Sequence, residues 1–152
     1  MAQSHVHVAC PHCLTPNRVP AGRLVENPKC GRCGTPLLDG TPVALGEAAF
    51  DAFIARNDLP VLVDFWAPWC APCRAMAPAF EEAAAQLRTE VRFARVNTEE
   101  APVLAARWGI RSIPTLVLFQ GGREAERISG AMDAHTLVHW ARQQGSLTRT
   151  PT

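Results

Sequence analysis

Charge of one sign is not in excess: 15 Lys and Arg stand against 14 Asp and Glu, a formal net charge of +1. A chain so balanced has no general electrostatic hold on nucleic acid or acidic membranes, and neither is expected as a partner. No apolar run approaches the about 20 residues that span a bilayer. The opening residues M-A-Q-S-H-V-H-V lack the basic start and the apolar stretch of an export signal, so a cytoplasmic protein is expected. Internal repeats and long low-complexity tracts are also missing. What is present is 152 residues, 47% hydrophobic, enough for one proper core and a small accessory module.

Six cysteines in a chain without an export signal point to metal and redox roles in a reducing compartment, not to a disulfide framework. They fall into three C-x-x-C pairs. Cys10/Cys13 and Cys30/Cys33 together read C-x2-C-x16-C-x2-C, a spacing that signals zinc. Four thiolates suit tetrahedral Zn²⁺ and leave no open position for water, so such a site is structural. Glycines beside the second pair, Gly31 and Gly34, let backbone N–H groups fold toward sulfur. Disulfides, free thiols and an iron–sulfur centre are the other readings of the same spacing. His12 is a fifth candidate ligand, whereas His5 and His7 read as exposed residues alternating on a short strand. Residues 1–40 hold few large apolar side chains and need a staple, which the metal supplies. Removal of the metal is therefore expected to melt this piece and spare the rest. Its basic residues, Arg18, Arg23, Lys29 and Arg32, have no interleaved aromatics and read as solvated surface.

The third pair lies in Asp64-Phe65-Trp66-Ala67-Pro68-Trp69-Cys70-Ala71-Pro72-Cys73. The apolar run Val61–Trp66 reads as a buried strand, ended by Pro68, with a helical pattern starting at Cys70. Cys73 then lies one turn further on the same face, close enough to bridge. Unpaired N–H groups and the helix dipole favour a thiolate at the first sulfur over the second. One sulfur is primed to attack and its neighbour to resolve.

Residues 41–144 read as one domain. A short edge strand at 42–45 precedes a helix over 46–57 with Phe50, Phe53 and Ile54 on one face. After the buried strand, the Cys70 helix carries Met76, Phe80, Ala83, Ala84 and Leu87 inward, with Pro78 inside it. A strand over 91–96, a short helix over 102–108 and a strand over 115–119 follow. The turn Gln120-Gly121-Gly122-Arg123 leads into a strand over 124–129. Asp133 caps the last helix, in which Ala134, Leu137, Val138 and Ala141 face inward. Residues 145–152 are polar and read as a flexible tail. The order β-α-β-α-β-α-β-β-α predicts an α/β fold, a mixed central sheet flanked by helices.

The run V-D-F-W-A-P-W-C-A-P-C-R, the triplet Ile113-Pro114-Thr115 and Gly130-Ala131 resemble the thioredoxin family. The four-cysteine extension is similar to that family's zinc-containing bacterial thioredoxin-2 branch. Thioredoxins are themselves a familiar example of how a C-x-x-C site lowers a thiol pKa. The resemblance implies a thioredoxin fold and protein-disulfide reductase activity, with Cys70 attacking and Cys73 resolving. It implies that Asp64 is a buried carboxylate that takes the proton of Cys73, and that Pro114 is a cis-proline facing the dithiol. Trp69, Ile113, Gly130 and Ala131 match the apolar rim that binds extended peptide, though each could equally be packing. The implied partners are disulfide-bearing proteins and thioredoxin reductase, which passes on electrons from NADPH; no organic cofactor is implied in this chain, and a monomer is expected. Arg95 stands where the family often has Lys beside the buried carboxylate. Ala71 replaces the usual Gly between the cysteines, a pair that tunes redox potential. Thr98 replaces a commonly acidic residue. A redox-sensing binding module and a net disulfide donor are the competing functions; Asp64 and the Trp-Cys-x-Pro-Cys context favour reduction.

Overall fold

The computed structural model describes residues 4–149, with side chains as far as residue 144. Two strands, β1 (His5–Ala9) and β2 (Pro16–Pro20), open the chain and are followed by a 3-10 turn over Ala21–Glu26. Then come β3 (Val43–Ala44), α1 (Glu47–Ala55), β4 (Val61–Trp66), α2 (Ala71–Gln86), β5 (Arg92–Asn97) and α3 (Pro102–Arg107). The chain continues through β6 (Thr115–Gln120), β7 (Arg123–Ser129) and α4 (Ala134–Arg149). The last helix therefore continues through part of the stretch read as a tail, and residues 150–152 lie outside the described residues.

The larger sheet has the order β3-β5-β4-β6-β7. β3 and β4 run parallel to β5, whereas β6 pairs antiparallel with β4 and β7 with β6. The sheet is mixed, as the element order predicts. β4 lies at its centre and both its faces are covered, which is why its sequence is almost continuously apolar. Alternation sorts the side chains into two cores. Val61, Val63 and Phe65 join Phe50, Phe53 and Ile54 of α1 and Leu104 of α3. Leu62 joins Met76 and Phe80 of α2, Leu87 at that helix's end, and Leu137 and Ala141 of α4, on the other face. Asp64 falls on this second face by the same alternation. Asp133 caps α4 by accepting the Thr136 N–H at 2.8 Å.

β1 and β2 form a separate antiparallel hairpin, with His7 opposite Arg18. Val8, Val19, Leu24, Leu37 and Leu38 pack with Cys10 and Cys30 into a small core of their own. Ala9, in contrast, is buried in the core beneath α1, and Leu14 packs against it. The hairpin is thus seated on the larger sheet by its own strand end.

Candidate active site and metal centre

β4 delivers the dithiol to the start of α2. Cys70 is extended (φ −84°, ψ 109°) and caps α2, with Pro72 in the first turn. Its sulfur accepts the Cys73 N–H at 3.2 Å, one of the donors that a helix start leaves free. Cys70 and Cys73 are joined as a disulfide, their Cα atoms 5.3 Å apart. Cys73 is fully buried and Cys70 nearly so. Of this pair, Cys70 sits nearer the surface and holds the hydrogen bond that stabilises a thiolate.

Asp64 is completely buried, and neither carboxylate oxygen has a hydrogen-bond partner. Burial pushes its carboxyl up to about 7, against the opposing pull of Arg95. Arg95 Nε lies 3.8 Å from Asp64 Oδ2, and the guanidinium stacks over Trp66 at 4.4 Å. A group that titrates near neutrality in a dry site can both take and return a proton.

The loop facing the dithiol contains a cis peptide between Ile113 and Pro114. Ile113 O lies 3.7 Å from Cys70 Sγ. The Gly130 N–H donates to Pro114 O at 2.9 Å, tying the β7 end to this loop. Thr115 Oγ1 donates to Ser112 O at 2.5 Å and lies 3.0 Å from Ser129 Oγ. An open groove of about 600 Å³ runs beside Cys70, lined among others by Trp69, Pro72, Ile110, Arg111 and Ile113. Of the rim residues read from the sequence, Trp69 and Ile113 line it; Gly130, bonded to the proline loop, and Ala131 are exposed and are not among its lining.

Cys10, Cys13, Cys30 and Cys33 converge, all four sulfurs lying within 4.8 Å of one another. Cys10 Sγ is 3.5 Å from Cys33 Sγ, and Cys13 Sγ is 3.7 Å from Cys30 Sγ. A tetrahedron with Zn–S bonds of about 2.3 Å has edges of about 3.8 Å, so the donor set fits Zn²⁺. These distances are far beyond a disulfide's length of about 2.05 Å. Backbone N–H groups of His12 and Cys13 donate to Cys10 Sγ at 3.3 and 3.4 Å, and that of Arg32 to Cys30 Sγ at 3.4 Å. Such donors stabilise thiolate charge. The His12 ring is not in the cluster, and His7 instead meets Asp58, Nδ1 to Oδ2 at 3.0 Å.

Sequence reasoning missed three features. Glu99 Oε2, next to the Thr98 that replaces a commonly acidic residue, accepts the Trp69 indole N–H at 2.6 Å and fixes the exposed ring. Thr98 itself donates to Trp66 O at 3.0 Å. The hydroxyls of Ser112 and Ser129 brace the proline loop, and Arg92 with Asn57 is buried under the hairpin. None has a motif. The alternation of the β5 run reads as an ordinary strand and gives no sign that Arg92 is buried.

A helix-capping cysteine bonded to its neighbour one turn on, above a sheet with a facing cis-proline, defines the thiol–disulfide oxidoreductases. A family model described as Thioredoxin matches residues 41–143, and one described as Thioredoxin 2, N-terminal, matches residues 9–35. The chain belongs to the thioredoxin family, in its zinc-ribbon thioredoxin-2 type. Thioredoxin C-3 of Corynebacterium nephridii is 46% identical over 137 residues, covering 90% of this chain and 94% of that protein. The chloroplastic M-type thioredoxin of Chlamydomonas reinhardtii is 37% identical over 123 residues, or 79% and 88% of the two chains. Among solved structures, a mutant thioredoxin from Halobacterium salinarum NRC-1 superposes with a TM-score of 0.64 at 32% identity. That likeness covers 70% of this chain and 93% of that one.

Proposed function

We infer that this chain is a cytoplasmic, monomeric protein-disulfide reductase working through Cys70-Ala71-Pro72-Cys73. In the reduced form the Cys70 thiolate attacks one sulfur of a substrate disulfide. The substrate S–S bond breaks, its far sulfur leaves and takes a proton from solvent, and a Cys70–substrate disulfide forms. Cys73 then gives its proton to Asp64 and attacks Cys70 Sγ. The mixed disulfide breaks, the second substrate sulfur leaves and takes up the proton that Asp64 releases through solvent, and the Cys70–Cys73 disulfide forms. Two electrons and two protons have passed to the substrate. Thioredoxin reductase, drawing on NADPH, restores the dithiol.

The Cys73 N–H on Cys70 Sγ at 3.2 Å carries this reading, because it makes the two sulfurs unequal. Pro114 offers neither N–H nor thiol to the dithiol, and Trp69, Ile113, Gly130 and Ala131 receive an extended peptide. We take residues 1–40 as a metal module and 41–144 as the catalytic domain. Cys10, Cys13, Cys30 and Cys33 would hold one Zn²⁺ there, which supplies a closed cross-link with no open coordination position. Reduction of insulin by NADPH and thioredoxin reductase tests the assignment. Turnover is expected with this protein and none with Cys70→Ser; a Cys70→Ser variant that still turned over would overturn it.

A further inference from the structure

Arg92 is a charged side chain in an interior position. It opens β5 and is only 5% exposed. Its Nη1 donates to Ala9 O at 3.0 Å and to Asn57 Oδ1 at 2.7 Å, and its Nη2 to Leu37 O at 3.1 Å. The guanidinium also lies over the Phe53 ring, 4.9 Å from its centroid. Asn57 completes the joint: its Oδ1 accepts the Ala9 N–H at 2.9 Å and its Nδ2 donates to Phe53 O at 2.8 Å. The nearest partners are thus carbonyls, an amide and a ring. Burial pulls the group down to about 10, with the charges of Asp39 and Cys10 opposing, so it stays charged at neutral pH.

Two of those acceptors come from the hairpin side, and they bracket the four cysteines. Ala9 immediately precedes Cys10, and Leu37 follows Cys33. Other links between the two parts lie nearer solvent: Arg56 to Leu14 O at 3.0 Å, Arg88 to Val25 O at 2.7 Å and, half-buried, to Leu38 O at 3.2 Å, and His7 to Asp58. Leu37 belongs to the small apolar cluster beneath the cysteines, so the place of its carbonyl depends on the sulfurs being tied together. Ala9 is seated in the larger core and is joined to that tie through the adjoining Cys10. If that tie is lost, a cation inside the larger core loses its Leu37 acceptor and the cover over its Ala9 one, and an under-partnered buried charge is strongly destabilising.

We propose that Arg92, with Asn57, couples metal occupancy at the four cysteines to the stability of the dithiol-bearing sheet. The inference rests on the metal reading above. It reverses the expectation that chelation melts the small module alone. Arg92 is a positioning residue here, acting between the two modules and not on sulfur.

The chain provides its own reporter. All four tryptophans, Trp66, Trp69, Trp108 and Trp140, belong to the larger domain, so fluorescence melting reads that domain alone. Zinc content of the full-length protein is measured with a chromophoric chelator, and melting is followed with and without metal. One ion per chain is expected, and its removal should lower the tryptophan-reported midpoint by about 10 °C. In Arg92→Met, which leaves the Asn57 bonds to Ala9 and Phe53 intact, that metal-dependent shift should shrink by half or more. Arg92→Lys carries the same comparison if the Met variant does not fold, because an ammonium cannot reach both carbonyls as a fork does. Absence of bound metal would sink the metal reading. Bound metal whose removal leaves the midpoint unmoved overturns the coupling, and a full shift retained in the variant overturns the role of Arg92.

Discussion

One spacing, C-x-x-C, serves two ends in this chain, and the backbone that follows each pair decides which. After Cys10 and Cys30 the chain turns back on itself. The Cys10 N–H donates to Thr15 O and the Leu14 N–H to Cys10 O; Cys30, Thr35 and Gly34 repeat the pattern. Leu14 (φ 66°) and Gly34 (φ 80°) hold the matching left-handed positions. Such a turn aims N–H groups at sulfur and leaves each pair open toward the other. After Cys70 a helix takes over, with Pro72 in its first turn, and the two sulfurs face each other alone. Metal affinity and disulfide exchange are thus properties of local backbone, with the cysteines common to both.

The sharpest way to break this comparison is to remove one thiol from each kind of site. Cys13→Ser should lower metal affinity more than hundredfold, since even supporting residues around a metal are worth about 10–100-fold. Below its own melting midpoint it should still reduce insulin. Cys70→Ser should do the reverse, keeping one ion per chain by chelator titration. Metal lost from Cys70→Ser would show that the two kinds of site are not separate.

A smaller effect concerns what each site stores. The Asp64 carboxyl sits at about 7 in the folded chain against an ordinary 3.8. Below about pH 4 it is protonated folded or unfolded, and no penalty applies. Between pH 4 and 7 the unfolded chain releases the proton while the folded one keeps it, so stability falls as pH rises. Above pH 7 the penalty is constant. Asp64→Asn should therefore stabilise the oxidised protein at pH 8, on the order of 4 kcal/mol, with little gain at pH 4. Denaturant titrations at the two pH values check this, and equal gains at both would remove the burial argument.

The smallest effect separates the two turns. Gly34 has open space where a Cβ would go, so Gly34→Ala pays only for left-handed backbone, about 1 kcal/mol. Leu14 already carries that strain and packs against the core under α1. Leu14→Ala should cost more than Gly34→Ala, because the strain remains and the packing goes. Thermal melts of the two variants give the order.

The fold was legible because its signals are periodic or local. Apolar β4, the Phe50, Phe53 and Ile54 stripe and the Asp133 cap need no distant partner to be read. The four metal-type cysteines were legible from spacing, and the dithiol from its strand-to-helix setting. What escaped depends on residues far apart in the chain. Glu99 became visible only once the turn between β4 and α2 brought Trp69 to it, 30 positions away. Arg92 reads as one more polar position of an alternating strand, and only the hairpin supplies its acceptors. The echo C-x-x-C-x-T, at Cys10 to Thr15 and Cys30 to Thr35, was in plain view; Leu14 in the place of Gly34 disguised it.

The bond from Arg92 to Ala9 spans 83 positions. A ribosome builds the hairpin first, at about 5–20 residues per second, and must extend the chain well past β4 before that acceptor is satisfied. For several seconds of every synthesis the underside of the nascent hairpin therefore lies bare. Whatever first touches it then, chaperone or stray strand, meets a surface that the finished molecule never shows.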